Sequence, residues 1–245
     1  MRQNILITGA SSGLGAEMAR QFAARGRSLA LCARRVDRLE GLRDELAPAR
    51  VAVRTLDVND YDAVLATFTE LRDELGGLDR VIVNAGLGKG ARIGTGRFDA
   101  NRATALTNFV GGLAQCEAAM TLFREANAGH LVVVSSMSAL RGMPGAITTY
   151  AATKAGLAAL AEGIRSDVLG SPIRVTTLFP GYIRSEMNER VAHRIRFIVD
   201  TEPGVRAMVA AIEREPAKAI VPAWPWRALA PAIRYLPLGV VRKLG

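Results

Sequence analysis

The chain is poor in cysteine, histidine, lysine and aromatic residues, and each scarcity excludes something. Two cysteines and two histidines in 245 residues are too few for a disulfide framework or a Cys/His zinc site. Cys32 and Cys116 both fall inside apolar segments, where they read as buried, reduced thiols of a cytoplasmic protein. His130 opens an apolar segment, and neither it nor His193 has a partner at metal or triad spacing, so no metal is predicted. No run of about 18 apolar residues occurs, which argues against a spanning helix. Met1-Arg2-Gln3-Asn4 leads directly into a strand-like segment, so no secretory signal is expected. Linkers, repeats and low-complexity tracts are also missing, and 49% apolar residues suffice for one large core.

Positive charge is plentiful. The net charge is +9, with only four lysines (Lys89, Lys154, Lys218, Lys243) among 32 basic residues. The arginines are scattered, and no basic block interleaved with aromatics appears, so no nucleic-acid partner is expected. A basic surface still favours anionic ligands, a phosphorylated cofactor among them.

Apolar runs at 4–8, 28–33, 51–56, 78–84, 130–135, 173–179 and 219–221 read as strands. They are continuously apolar, which suits a parallel sheet covered on both faces. Amphipathic stretches at 13–25, 36–46, 61–75, 97–124, 150–169 and 203–215 read as helices, with Asp37 and Asp60 as start signals. Alternation of this kind predicts one doubly wound α/β domain, with about seven parallel strands flanked by helices. Ligands of such sheets bind beyond the carboxyl ends of the strands.

Three motifs stand out, the first two at those ends. The first strand runs into Thr8-Gly9-Ala10-Ser11-Ser12-Gly13-Leu14-Gly15 and then a helix. Glycines there permit a tight turn and close approach of backbone amides to a pyrophosphate. The second strand ends at Cys32-Ala33, followed by Arg34-Arg35. An acid at that place would hydrogen-bond the ribose of NAD, whereas arginine accommodates the 2′-phosphate of NADP. Asp57, at the end of the third strand, is placed to meet the adenine amino group. The third motif is Tyr150-Ala151-Ala152-Thr153-Lys154. Helical spacing sets Tyr150 and Lys154 on one face, where an ammonium would favour the phenolate. A surface i, i+4 pair has the same spacing, so the meaning of the pair depends on its surroundings.

Taken together these residues resemble the short-chain dehydrogenase/reductase family, over most of the chain from Ile5 to Ser185. The glycine loop matches 8–15. The acid after the third strand matches Asp57, followed by Val58, and Asn84-Ala85-Gly86 matches the motif closing the fourth strand. The helix asparagine matches Asn108, the catalytic pair Tyr150 and Lys154, and the motif after the sixth strand Pro180-Gly181. The catalytic serine aligns with Ser136, 14 positions before Tyr150, one more than is usual. Ser138, 12 positions before it, is the alternative. Ser185 stands where threonine is frequent.

The resemblance implies a Rossmann-like fold and hydride transfer between NADP(H) and a carbonyl or secondary alcohol. Tyr150 would be general acid or base, and Lys154 would lower its pKa and hold the nicotinamide ribose. Ser136 would bind the substrate oxygen and Asn108 would anchor a water. Ile183 would meet the carboxamide, while Ser185 would bond to the nicotinamide or phosphate side. A homodimer or homotetramer is also implied. Two alternatives stay open: a non-catalytic NADP-binding regulator, and an epimerase or dehydratase on the same fold.

The catalytic domain is expected to span 1–222. Its segment 182–200 would form a substrate lid, where Met187, Val191, Ile195 and Phe197 suggest an apolar substrate and Arg184 or Arg190 could meet an anionic group. The tail 223–245 is apolar and aromatic, with four basic residues and no acids. Three readings are open: packing on the domain or a partner subunit, lying on an anionic membrane surface, or disorder.

Overall fold

The structure is a computed structural model that describes residues 2–189 and 197–242. Arg190, Val191, His193, Ile195 and Lys243 lie outside the described residues. Seven strands form one sheet: β1 (Asn4–Thr8), β2 (Ser28–Ala33), β3 (Val51–Thr55), β4 (Arg80–Val83), β5 (Gly129–Val134), β6 (Ile173–Pro180) and β7 (Lys218–Val221). Their order is β3-β2-β1-β4-β5-β6-β7, and every pairing is parallel. The chain therefore reverses its direction of travel between β1 and β4, and the connections leaving the carboxyl ends of those two strands run to opposite faces of the sheet, with a crevice between them.

Alternation along each strand divides the core between two faces. Leu6, Ala30, Val81, Leu131 and Val133 point to one face, under α3 (Tyr61–Leu75), α5 (Gly111–Glu125) and α6 (Thr148–Asp167). Ile5, Ile7, Leu31, Ile82 and Val132 point to the other, under α1 (Gly13–Ala23), α2 (Val36–Glu45) and α7 (Thr201–Glu213). Burial on both sides explains why the strands read as unbroken apolar runs. The expected start signals divide: Asp60 caps α3 by accepting from Ala63 N at 3.3 Å. Asp37 instead lies in the first turn of α2, favouring the positive end of its dipole.

The expected helix at 97–124 is not continuous. It is α4 (Phe98–Ala105), a π-helical turn at Leu106–Val110, and then α5. The glycines that follow allow close packing. A Cβ on Gly111 would stand 2.9 Å from Val58 O, and one on Gly112 2.9 Å from Leu157 Cδ1.

The amino ends of β4, β5 and β6 are tied by a buried polar cluster. Arg80, 1% exposed, donates from Nε to His130 Nδ1 at 2.8 Å and pairs with Glu213 at 3.1 Å and Glu215 at 3.3 Å. His130 Nε2 lies 2.9 Å from Thr176 Oγ1, whose own proton goes to Pro216 O at 2.7 Å. Nε2 therefore carries the imidazole proton and Nδ1 accepts, as in a neutral ring. Burial, aided by the Arg80 cation, pushes the His130 pKa down to about 3.

The tail continues past β7 as α8 (Trp226–Tyr235) and the short α9 (Leu238–Val241). Trp226 is buried with Met137 and Phe179, and Leu229 and Ile233 of α8 pack against the same cluster. On the outer side Trp224, Tyr235 and Leu238 are exposed. Among the described residues no helix is long and apolar enough to cross a membrane.

Candidate active site

A cleft of about 480 Å³ opens over the carboxyl ends of the strands. It brings together the predicted glycine loop, Arg34 and Arg35, Asp57 and Val58, the 84–86 motif, Ser136, Tyr150, Lys154, and the Pro180–Ser185 segment. Gly15 and Asn108, also predicted, stand behind this lining rather than in it.

The loop geometry explains its glycines. Gly9 has φ +64°, and a Cβ there would lie 2.9 Å from Ala85 Cα. A Cβ on Gly15 would come within 2.4 Å of Gly9 O. Beneath the loop, Thr8 joins the ends of β1 and β4. Its Oγ1 accepts from the amides of Asn84 and Ala85 at 3.0 Å each, while Asn84 Nδ2 donates to Thr8 O at 2.9 Å. The N-cap residue of α1, Ser12, makes no side-chain capping bond, and the first turn holds no acid. The free amides and positive dipole end of α1 thus face the cleft, an arrangement that fits a pyrophosphate.

At the end of β2 the two arginines differ. Arg35 Nη2 donates to Ser12 Oγ at 2.7 Å and Ser11 Oγ at 3.2 Å. Arg34 is exposed at the cleft edge. Asp57 Oδ1 accepts from the amide of Asn59 at 3.0 Å and from its Nδ2 at 3.1 Å, which orients the carboxylate. Cys32 also lines the cleft, but burial pushes its thiol up to about 12, which leaves it unreactive.

Lys154 is no surface residue: it is 4% exposed. Its Nζ donates to Val134 O at 2.8 Å and lies 6.0 Å from the centre of the Tyr150 ring. Its backbone O accepts from Ser135 Oγ at 2.8 Å, so the carboxyl end of β5 fixes both ends of the residue. Burial pushes the Lys154 pKa down to about 8. Tyr150 is half-buried. Here one expectation needs correction: the phenol's pKa is raised, not lowered. Burial is the main cause, the Tyr182 hydroxyl adds to it, and a hydrogen bond with Ser136 works in the opposite direction. Of its neighbours, Ser136 works in favour of the phenolate, and Lys154's ammonium is anchored on Val134 O.

Ser136 also caps the 3₁₀ turn Met137–Leu140 by accepting from Ser138 N at 3.2 Å. Ser138 lines the cleft too, but Ser136 is the serine close enough to the Tyr150 phenol to act on its pKa. Between Ser136 and Tyr150 the chain forms the 3₁₀ turns Met137–Leu140 and Gly145–Ile147 before it enters α6.

Asn108, 1% exposed, sits on the π turn. Its Oδ1 accepts from Leu87 N at 2.6 Å; Nδ2 donates to Leu87 O at 2.9 Å and to Thr153 Oγ1 at 3.3 Å. The side chain thus clamps the loop after β4, so any hold on water falls to its main chain, where the π turn interrupts the i, i+4 ladder. Tyr182 and Glu186 were not foreseen as site residues. Tyr182 lines the cleft and meets Trp226 edge-on, with ring centres 5.5 Å apart. The Pro180-Gly181 motif marked its position but not its orientation. Glu186 had no spacing signal, since its partners lie about 150 residues away. Among the described residues, no group of three potential metal ligands occurs.

This constellation defines a nucleotide-binding α/β fold with a tyrosine–lysine–serine centre, and comparison with known proteins agrees. Residues 3–196 match the family model for short chain dehydrogenase. An uncharacterised oxidoreductase of Mycobacterium tuberculosis is 54% identical over 246 residues, covering 99% of this chain and 97% of the relative. An uncharacterised oxidoreductase of Myxococcus xanthus is 36% identical over 228 residues, covering 92% and 88%. A short-chain dehydrogenase from Sphingobium yanoikuyae, solved in complex with NADPH, is similar with a TM-score of 0.82 at 26% identity, over 96% of this chain and 94% of that one. Levodione reductase gives 0.80 at 25% identity, over 89% and 94%. The chain belongs to the short-chain dehydrogenase/reductase family, and it is an oxidoreductase.

Proposed function

We propose that the protein is an NADP(H)-dependent oxidoreductase that interconverts a carbonyl and a secondary alcohol on a small, apolar molecule. The observation that carries this reading is the Tyr150 phenol, half-buried in the cleft between Ser136 and the buried Lys154. The bare backbone of the glycine loop and the uncapped end of α1 would hold the pyrophosphate. Arg34 and Arg35, with no acid next to them in the sequence at the end of β2, favour a 2′-phosphate over a ribose hydroxyl. The NADPH complex of the Sphingobium relative is in keeping with this preference. When bound, the nicotinamide supplies or accepts the hydride.

In reduction, Tyr150 donates its proton to the substrate oxygen, and Ser136 donates a hydrogen bond to the same oxygen as charge develops there. Lys154 provides positive charge beside the phenol and, with Val134 O as its anchor, would meet the nicotinamide ribose. Asn108 fixes the loop over this centre, and Ile183 and Ser185 would meet the carboxamide and phosphate side. Leu87, Ile147, Tyr182 and Met187 add apolar surface to the cleft, in keeping with an apolar substrate. The segment from Tyr182 onward would act as its lid, and self-association through α5 and α6 belongs to the same reading.

The test is NADPH oxidation with a panel of ketones and aldehydes. Turnover of at least one apolar carbonyl compound is expected, and none would favour the regulator or the epimerase and dehydratase alternatives. Arg34→Asp should move the NADPH/NADH ratio of kcat/KM toward NADH. An unchanged ratio would remove Arg34 from cofactor discrimination.

A further inference from the structure

Glu186 lies just beyond Ser185, on the turn that leaves β6, yet its carboxylate reaches the far side of the cleft. Oε1 is 2.5 Å from Arg38 Nη1, and Oε2 is 3.4 Å and 3.5 Å from Arg35 Nη1 and Nη2. The Arg35 guanidinium is thus shared between the loop hydroxyls of Ser11 and Ser12 and a carboxylate from the lid stem. Attraction to the two arginines holds the Glu186 carboxyl below its ordinary range. These side chains stand about half in solvent, 51% exposed for Glu186 and 43% for Arg35. Ion pairs so exposed hold weakly and exchange readily. A carboxylate brings two oxygens and one charge to a guanidinium, whereas a phosphate monoester brings three oxygens and nearly two charges.

We propose that Glu186 is an internal counter-anion of the 2′-phosphate pocket, displaced from Arg35 when the 2′-phosphate of NADP(H) binds. The inference rests on the reading of Arg34 and Arg35 as ligands of that phosphate. Glu186 then lowers affinity for NADP(H) and leaves NAD(H), whose ribose hydroxyl does not compete for the guanidinium, unaffected.

The exchange also touches the substrate side. Asn188 ties the turn together, its Oδ1 accepting from Ser185 N at 3.0 Å and its Nδ2 donating to Ile183 O at 2.8 Å. Met187, the next residue, packs on the opposite wall, where a Cβ on Gly88 would stand 2.6 Å from Met187 Cγ. Glu186 and Met187 are two anchors of one turn spanning the cleft, and the phosphate would release the first.

The experiment is titration of the full chain with NADPH and with NADH, followed by nicotinamide fluorescence, for the wild type, Glu186→Gln, Glu186→Asp and Arg35→Ala. Both Glu186 variants change an exposed side chain and leave the core intact. Glu186→Gln should tighten NADPH roughly two- to fivefold, the scale of an exposed ion pair, with NADH unchanged. Glu186→Asp keeps the charge but loses reach, and should tighten NADPH as well. Tightening by Gln alone would assign the effect to long-range charge and overturn direct displacement. The inference is likewise overturned if neither variant tightens NADPH, or if NADH tightens equally. Arg35→Ala separates the two levels. If it leaves the NADPH/NADH ratio of Kd unchanged, Arg35 is not a 2′-phosphate ligand, and the inference falls with that reading. If it abolishes the preference while the Glu186 variants behave as wild type, only the role of Glu186 is lost.

Discussion

Tyr150 and Lys154 illustrate how far burial changes the meaning of a spacing. Exposed, the pair would be an ordinary contact across one helical turn. Buried, the lysine is pushed down to about 8 and the phenol above its ordinary value. Near pH 7 this sets a charged ammonium beside a protonated phenol, the combination a carbonyl reduction requires. Tyr150→Phe should lower kcat by a factor of about 10² to 10⁴, the usual worth of a positioned acid, while NADPH binding by fluorescence titration stays near wild type. Turnover close to wild type would exclude the tyrosine as proton donor. The pH profile follows from Lys154. Its ammonium is present below about 8 and lost above it, so kcat/KM for reduction should hold level up to that point and fall as pH rises through it. A profile flat to pH 9.5 would mean that the charge on Lys154 plays no part in the step.

At the scale of elements, the strands and most helices were legible because each carries one strong pattern. Burial on both faces makes β1, β2 and β5 continuously apolar, and Asp60 and Gly76 punctuate α3 at its two ends. The π turn was not legible. Leu106–Val110 keeps a helical composition, and widening by one residue leaves no mark on amphipathic periodicity. Asn108 was identified through family likeness, but its bonds to Leu87 follow from that turn and from the loop after β4. The buried cluster around Arg80 was equally hidden, since His130 has no sequence neighbour to betray Thr176 or Arg80. It has a measurable effect. His130 binds a proton near pH 6.5 when unfolded but only near about 3 when folded. Between those values the unfolded chain holds more protons, so stability falls as pH drops through that window. Thermal melts between pH 7.5 and 4.5 should show this slope, and it should diminish in His130→Gln relative to the other acid-sensitive groups. An equal slope in both proteins would clear His130 of the effect.

At the scale of the whole molecule, sheet and tail meet beside the cleft. Trp226 lies over Gly181, where a Cβ would stand 2.1 Å from Trp226 Nε1, and it touches Tyr182 and Phe197 edge-on. Its indole N–H is buried and has no partner among the described residues. Trp226→Phe, which removes that donor but keeps a ring, should leave stability near wild type. Trp226→Ala leaves a cavity at a cost of about 3–5 kcal/mol and should undock α8. Limited trypsin digestion would then cleave at Arg227 and Arg234 in the Ala variant but not in the Phe variant. Equal resistance of both would mean that α8 is held by other contacts. The tail's three prolines, Pro225, Pro231 and Pro237, disfavour one long helix. Two short ones form, divided at Leu236-Pro237.

The position of α8 also bears on how the protein is handled. Arg2 is bonded to Glu215 at the pole where the strands begin, the end of the sheet away from the cleft. The last described helix instead follows α8, whose Arg234 O accepts from Arg141 beside the turn that carries Ser136. A purification tag, fluorophore or surface tether ahead of β1 would therefore start at the pole away from the cleft, whereas one placed after α8 would follow an element docked beside the Ser136 turn.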